Sequence, residues 1–259
     1  MPYATWKGAV SFGLVNIPVK AFGAVAEHRV SLKMLCPDDK TPLQYKRICP
    51  TCKKEIPWNS ILRGYEVTKG KYVPLTNEDF DSIEVEAGRA LEIFTFVDLE
   101  RLDPVYFDSA YFLVPEEASI KPYTLLKQAM ETNGKIAIGK MTMHEKQHLV
   151  ALRPYEEAIL METLHYADEV KDSKEFPELR KKEKISSEEL ELASQLIKMM
   201  KKPFDFEEFQ DTYHESLRQL VEAKLKGKEG IVLAKAPEIK VTKNLMEALK
   251  ASLKANTKK

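Results

Sequence analysis

The sequence lacks the features that mark several common classes of protein. Its 40 lysines and arginines balance 40 aspartates and glutamates, so no net positive field points to a nucleic-acid partner. Three cysteines in 259 residues do not suit a disulfide framework. The first apolar stretch, residues 9–19, contains Asn16 and Pro18 and is too short to cross a bilayer. Because no segment matches an export signal either, we expect a cytoplasmic protein.

Motifs for nucleotide binding and covalent catalysis are also missing. The sequence contains neither G-x-x-x-x-G-K-[ST] nor G-x-S-x-G, and no G-x-G-x-x-G follows a strand. The carboxylates are numerous, but they mark no acid–base pair. These absences disfavour an enzyme, and one metal motif needs separate consideration.

That motif is H-E-x-x-H, the zinc-protease pattern, formed by His144, Glu145 and His148. On a helix the two histidines share one face, and the glutamate acts as a general base. Here the flanking residues 135–143 and 148–153 have the pattern of strands, and nothing positions a third ligand. We therefore favour a strand–turn–strand corner with two surface histidines, and a zinc hydrolase is the alternative.

The neutral total hides charges that are separated along the chain. Residues 1–71 carry twelve lysines and arginines against five carboxylates, whereas residues 72–120 carry two against twelve. An ordinary mixed surface explains this most simply, and a polyanion-binding surface on an acidic body is the sharper alternative. Residues 31–63, which we call the basic span, form a long and polar segment with an excess of positive charge. Their cations are Lys33, Lys40, Lys46, Arg47, Lys53, Lys54 and Arg63.

Two cysteines of the basic span have the spacing of a zinc knuckle. Cys49 and Cys52 form C-x-x-C, and Cys36 lies thirteen positions before Cys49. Two thiolates at this spacing can hold one zinc ion, with Cys36 as a third ligand. The fourth ligand stays open; the candidates are His28, Asp38, Asp39 and a water molecule. Packed free thiols are the alternative, although so long a loop needs a reason to be ordered.

Short strands separated by irregular turns dominate the first two thirds of the chain. Residues 65–75 read as a hairpin around Lys69 and Gly70. Further strand candidates are residues 91–97, 110–115, 135–143, 148–153 and 158–164. This pattern predicts a barrel or a sandwich.

Helices interrupt the strands and then replace them. The sequence predicts a helix over residues 122–134. A capping box between Ser186 and Glu189 starts another helix, which Pro203 ends. The remaining segments are an apolar helical stripe over 206–225, a linker over 227–240 and a short amphipathic helix over 241–253. The fold class is therefore α+β.

Long strings of the sequence resemble the bacterial Ku family. They are WKGAVSFGLVNIPVKAF, YKRICPTCKKEI, LRGYEVTKGKYVPLTNEDF, LDPVYFDSAYFLVPEEASIKPYTLLKQAM, HYADEV and PFDFEEFQDTYHESLRQLVEAKLKGK. The resemblance covers residues 6–228, and VTKNLMEALKASLKA is similar to the family's short C-terminal segment. It implies a Ku-type β-barrel with a basic bridge that encircles DNA and a C-terminal helical arm, assembled as a ring-shaped homodimer.

The resemblance implies a function without catalysis. Such a ring threads the ends of double-stranded DNA without sequence preference, bridges or protects them, and recruits an ATP-dependent DNA ligase in non-homologous end joining. The implied division is a core over 1–185 with its bridge at 31–63, a dimerisation arm over 186–228, a linker over 229–240 and a ligase-recruiting basic helix over 241–259. The implied location is at the nucleoid. An adaptor that binds only protein through its terminal helix is a further alternative.

The resemblance also implies particular site residues. The DNA contacts would be Lys33, Arg47, Lys53, Lys54 and Arg63 in the bridge, and Lys140, Lys146 and Arg153 in the barrel. The ligase contacts would be Leu245, Leu249 and Leu253. No cofactor is required, and Cys36, Cys49 and Cys52 are candidate ligands of a structural zinc ion.

Overall fold

The chain divides into two compact units, residues 1–28 with 32–172 and residues 29–31 with 173–259. The structure is a computed structural model, and it describes residues 3–26, 30–80, 90–143, 146–227 and 245–256. Every strand of these described residues belongs to the first unit. None of the helices in the described ranges combines the length and the apolar character that a membrane span needs.

Nine strands of the described residues are numbered in chain order: β1 (Trp6–Phe12), β2 (Val15–Gly23), β3 (Arg63–Thr68), β4 (Lys71–Leu75), β5 (Ala90–Val97), β6 (Phe107–Pro115), β7 (Ile136–Met143), β8 (Lys146–Tyr155) and β9 (Ala158–Leu164). Seven of them close a barrel in the order β1, β2, β6, β9, β8, β7, β5. Neighbours pair antiparallel except β1 and β5, which are parallel. The predicted strands are confirmed, and the structure selects the barrel over the sandwich.

Alternating burial explains why these segments form strands. In β2 the side chains of Ile17, Val19 and Ala21 are buried, while the residues between them are more exposed. Strands β7 and β8 are apolar on both faces. Leu152 joins the main core, and its neighbour Ala151 joins a second apolar cluster. The core therefore lies along these two strands on both sides of the sheet.

One helix packs onto the barrel. Helix α1 (Ile120–Asn133) begins two residues before Pro122, and it ends where Gly134 adopts the left-handed conformation. Its buried residues are Tyr123, Leu126 and Met130. These three side chains belong to the main core, so the helix and the barrel share one apolar interior.

The hydroxyl of Tyr123 ties helix α1 to two strands. It donates a hydrogen bond to the carbonyl of Leu113 at 2.7 Å, and it accepts the backbone N–H of Ile159 at 2.6 Å. Burial raises the pKa of Tyr123, so the hydroxyl stays protonated. The bonds fix the helix against β6 and β9.

Strands β5 and β7 approach each other closely at a glycine. A Cβ on Gly139 would lie 2.5 Å from the carbonyl oxygen of Glu92, closer than side chains tolerate. The same glycine disfavours a helix in this segment, as the sequence indicates. Its lack of a side chain is therefore what allows the pairing of Ile93 with Gly139.

The basic span and a separate hairpin lie between β2 and β5 in the chain. Strands β3 and β4 form this two-stranded hairpin, and Gly70 has a φ of +81° in its turn, as predicted. The basic span contains two isolated antiparallel bridges, Leu35 to Pro42 and Ile48 to Glu55, and a 3-10 turn at Trp58–Ser60. It thus has local structure without a sheet of its own.

The second unit contains three helices in its described residues: α2 (Ser187–Met200), α3 (Thr212–Leu225) and α4 (Leu245–Asn256). The predicted capping box of α2 is confirmed. The N–H of Glu189 donates to the Ser186 hydroxyl at 3.2 Å, and the Ser186 N–H donates to the Glu189 carboxylate at 2.8 Å. Helix α4 packs against α2.

The apolar stripe predicted over residues 206–225 becomes an α-helix later than expected. Phe206–Glu208 is a 3-10 turn, and Asp211 starts α3 by accepting the N–H groups of Tyr213 and His214. The predicted linker and the start of the last helix fall largely on residues 228–244, outside the described residues. Further 3-10 turns lie at Leu99–Arg101, Pro104–Tyr106, Glu117–Ser119, Ser173–Glu175 and Pro177–Arg180.

Candidate nucleic-acid interface

The basic span is almost wholly exposed. Cys36, Cys49 and Ile56 are half-buried, and every other residue of 31–63 is exposed. Seven lysines and arginines stand against three carboxylates in this span. An exposed surface of this composition attracts phosphate and does not depend on the net charge of the chain.

Four of the predicted DNA contacts are exposed lysines without an ion pair. They are Lys33, Lys53 and Lys54 in the basic span and Lys140 in β7, and within the described part of the chain their ammonium groups pair with no carboxylate. An ammonium group of this kind keeps its whole charge available to an incoming phosphate. Lys46, by contrast, lies 2.8 Å from the carboxylate of Glu55.

The two arginines of the predicted bridge stack on aromatic rings. The guanidinium carbon of Arg47 lies 4.1 Å from the centre of the Trp58 ring, and that of Arg63 lies 4.5 Å from the Phe80 ring. Stacking on a ring fixes the orientation of a guanidinium group through its flat face. Its N–H donors lie in the plane of the group and do not point at the ring. These aromatic partners could not be predicted from the sequence, because neither pair has a helical or strand spacing.

The two remaining predicted DNA contacts, Lys146 and Arg153, form ion pairs within the first unit. Lys146 Nζ lies 2.8 Å from Glu169 Oε1, and Arg153 Nε lies 2.9 Å from Glu162 Oε2. The hydrogen bond from Lys146 and then the N–H of Tyr166 lower the pKa of Glu169 to about 2, and the same pair raises the pKa of Lys146. These charges are already satisfied, so they have less to gain from a phosphate than unpaired lysines.

The three cysteines lie in two turns of the basic span, Cys36 in one, and Cys49 and Cys52 in the other. Hydrogen bonds from the backbone of Cys52 and Thr51 lower the pKa of the Cys49 thiol. Among the described residues, no three side chains of His, Cys, Asp or Glu converge on one point. His28 lies outside those residues, and the zinc site stays a prediction.

The H-E-x-x-H segment is flanked by two strands. His144 and Glu145 lie outside the described residues, and on either side of them Met143 ends β7 and Lys146 begins β8. His148 lies inside β8, with its Nε2 3.2 Å from the Met143 carbonyl oxygen. The zinc-protease motif requires a helix that continues past the second histidine. Residues 146–155 form a strand instead, so the predicted strands on both sides of the corner are confirmed. His148 is half-buried and not on the surface as predicted.

The predicted ligase contacts lie on α4 at different degrees of exposure. Leu245 is 57% exposed, and Leu249 and Leu253 are half-buried. The packing of α4 on α2 includes an ion pair in which Lys250 Nζ lies 3.4 Å from Glu188 Oε1. Both helices belong to the second unit, so in this arrangement part of the leucine face is covered by the chain itself.

Comparison with known proteins agrees with this fold. The family model described as "Ku70/Ku80 beta-barrel domain" matches residues 11–192. "Non-homologous end joining protein Ku" from Archaeoglobus fulgidus is 46% identical over 252 residues, which cover 97% of this chain and 98% of that protein. Proteins of the same name from Symbiobacterium thermophilum and Bacillus subtilis are 43% and 41% identical over 253 residues. Those matches cover 97% of this chain, and 63% and 81% of the two relatives. The closed barrel and these matches together show that the chain belongs to the Ku family.

Proposed function

We propose that this chain binds the ends of double-stranded DNA in non-homologous end joining. The observation that carries the proposal is the agreement of two features. Relatives that match nearly the whole chain are named for that process, and the basic span offers exposed lysines without ion pairs. The proposed place of action is the nucleoid.

The binding is independent of DNA sequence. Lysine ammonium groups form point contacts with phosphate oxygens, which are identical at every base pair. The proposed contacts remain Lys33, Arg47, Lys53, Lys54, Arg63 and Lys140 as the principal set, with Lys146 and Arg153 in a lesser role because of their ion pairs. Random break ends have no common sequence, so a protein that protects them has no use for base contacts.

A ring-shaped homodimer is the proposed assembly. Exposed aromatic side chains of the second unit support it: Phe204, Phe206 and Phe209 are 64%, 82% and 61% exposed. The Phe204 ring contacts the other two, with ring centres 4.7 Å and 5.1 Å apart. Contiguous exposed apolar surface of this kind marks an interface, and we assign it to a second copy of the chain. A closed ring also explains how a chain with no net charge retains DNA.

Recruitment of an ATP-dependent DNA ligase is the proposed role of α4. Removal of residues 241–259 is expected to abolish stimulation of the ligase and to leave DNA binding unchanged. A point variant, Leu245→Ser, changes only the exposed leucine among the proposed contacts, and it is expected to weaken the stimulation. If the truncated chain still stimulates the ligase fully, the recruiting surface lies elsewhere.

The proposed function includes no catalysis. The alternative zinc hydrolase has little support, because the segment around its second histidine is a strand. A Glu145→Gln variant separates the two. We expect it to bind DNA as the wild type does, and a chelator-sensitive hydrolytic activity that this variant loses would favour the hydrolase.

The central test compares one DNA in two forms. A short duplex circle and the same duplex cut once are titrated with protein in a mobility-shift assay, and the mass of the free protein is measured in parallel. We expect a dimer that binds the cut form and not the sealed circle, because only an open end admits a closed ring. Equal affinity for the two forms, or a protein that stays monomeric at working concentration, contradicts the threading ring.

A further inference from the structure

Two turns of the basic span share one backbone design. In the first, residues 36–41, the N–H of Cys36 donates to the carbonyl of Thr41 at 2.9 Å, and the N–H of Lys40 donates to the carbonyl of Cys36 at 3.0 Å. We call this turn the first knuckle. It closes beneath an antiparallel bridge between the residues on either side, Leu35 and Pro42.

The second turn, residues 49–54, repeats these bonds position for position. The N–H of Cys49 donates to the carbonyl of Lys54 at 3.0 Å, and the N–H of Lys53 donates to the carbonyl of Cys49 at 2.9 Å. We call this turn the second knuckle. Its flanking residues, Ile48 and Glu55, form the equivalent antiparallel bridge.

The fifth residue of each knuckle has an unusual conformation. Lys40 and Lys53 both have a φ of +59°, and they are two of three non-glycine residues with positive φ among those described. A lysine side chain in the left-handed region costs conformational energy. Because both segments have this unfavourable conformation at the same position, the two knuckles share one backbone conformation.

The shared conformation places side chains that can bind a metal at equivalent positions of the two knuckles. Cys36 and Asp39 occupy the first and fourth positions of the first knuckle, and Cys49 and Cys52 occupy those positions in the second. The Asp39 carboxylate accepts the N–H and the hydroxyl of Thr41 at 3.0 Å and 2.8 Å. Each knuckle thus presents a pair of donors, and Asp39 stands where the second knuckle has a thiol.

Burial within the span points the same way. The first cysteine of each knuckle is half-buried, although all of residues 31–63 are exposed except these two and Ile56. Because nearly every side chain of the basic span is exposed, the partial burial of both equivalent cysteines distinguishes them from the rest of the span. The residues at the fourth position of each knuckle, Asp39 and Cys52, are exposed.

We propose that Cys36, Asp39, Cys49 and Cys52 together bind one structural Zn²⁺, with Asp39 as the fourth ligand. Zinc accepts cysteine sulfur and aspartate oxygen in a closed four-ligand site, and paired knuckles with a C-x-x-C spacing are a usual source of its ligands. No three such side chains converge among the described residues, so this binding requires the two donor pairs to move closer together than they lie in the structure.

The surrounding charges suit this ligand set. Three thiolates and one carboxylate exceed the charge of Zn²⁺ by two negative charges. Lys40 and Lys53 directly follow the proposed ligands Asp39 and Cys52 in the chain, and Lys54 follows Lys53, so three cations near the site offset that excess. The ion would order a span that has no fully buried residue, and it would hold Lys53 and Lys54 in place next to Cys52.

The experiment uses the full chain and Co²⁺ as a probe for the zinc site. The absorption of the thiolate-to-cobalt charge transfer grows with the number of thiolate ligands, and competition with Zn²⁺ gives the zinc affinity. We expect one metal ion per chain and a charge-transfer band of three thiolates. In Cys36→Ser this band should fall to two thirds of the wild-type value, and in Asp39→Cys it should rise to four thirds.

The fourth ligand is tested with a matched pair of variants. Asp39→Asn should keep the three-thiolate band and lose zinc affinity by at least about tenfold, since even the loss of an outer partner of a metal ligand costs about 10- to 100-fold. Asp38→Asn, which removes the same charge one residue earlier, should bind zinc as the wild type does. Circular dichroism of each variant confirms that the barrel is folded.

Three results would overturn the proposal. They are a purified protein that binds neither zinc nor cobalt, a band of two thiolates in the wild type, and equal zinc affinity in Asp39→Asn and wild type. The first two reject the site, and the third rejects Asp39 as its ligand. None of them bears on the comparison of cut and sealed DNA, so the two proposals fail separately.

Discussion

Removal of two unpaired lysines should change the salt dependence of DNA binding by a calculable amount. In a Lys33→Gln, Lys54→Gln variant both side chains keep their length and lose their charge. Each phosphate contact contributes about 0.9 to the slope of log K against log salt on duplex DNA. Two lysines in each chain of a dimer make four contacts, so the slope should become shallower by about 3.6. The single Lys54→Gln variant should lose about half of that.

The assay is fluorescence anisotropy of a labelled blunt-ended duplex, titrated at several salt concentrations. The same structure supplies the control. Lys146 is also an exposed lysine of the first unit, but its ammonium group lies 2.8 Å from Glu169. Because this pairing leaves Lys146 only a lesser role in DNA binding, Lys146→Gln should reduce the slope by less than Lys54→Gln does. If Lys146→Gln reduces the slope as much as the double variant does, pairing within the fold does not decide which lysines contact DNA.

An unchanged slope in the double variant would refute the reasoning more directly. It would mean that the basic span does not meet phosphate, whatever the affinity of the wild type. A loss of affinity with an unchanged slope points to a change in folding instead, and circular dichroism distinguishes that case.

Two further predictions concern the barrel unit. Tyr123→Phe leaves the N–H of Ile159 and one acceptor site of Leu113 without a buried partner, so the free energy of unfolding in urea should fall by about 1–3 kcal/mol; no loss would mean that water replaces the hydroxyl. The low pKa of Glu169, about 2 beside Lys146, stabilises the fold above the ordinary pKa of glutamate, and this contribution should disappear as the pH falls from about 5 towards 2. Glu169→Gln should therefore show a weaker loss of thermal stability than the wild type over that range, and equal losses would contradict the pairing.

Local sequence patterns predicted most of the strands and helices. Alternating apolar residues indicate a strand because successive side chains point to opposite faces, and this held for the strands of the barrel. The capping box at Ser186 and the left-handed Gly134 also act within a few residues, so their consequences are visible in the sequence. The pattern failed at residues 206–211, where apolar spacing continues but the cap at Asp211 delays the helix.

Closure of the barrel was beyond such patterns. The sequence allowed a barrel or a sandwich, because both need the same short alternating strands. The decision comes from the pairing of β1 with β5, which are far apart in the chain and parallel. The close approach at Gly139 could not be predicted from such patterns either, because it depends on the carbonyl oxygen of Glu92 in another strand.

The sequence alone determined which charges the chain has and where they stand in its order, and this already identified the basic span. It did not determine which of those charges are neutralised. Lys146 and Lys54 are alike as letters, yet one lies beside a carboxylate 23 residues later and the other has no such partner among the described residues. Only the tertiary structure decides this, because Coulomb energy depends on the distance between groups in space and not on their separation along the chain.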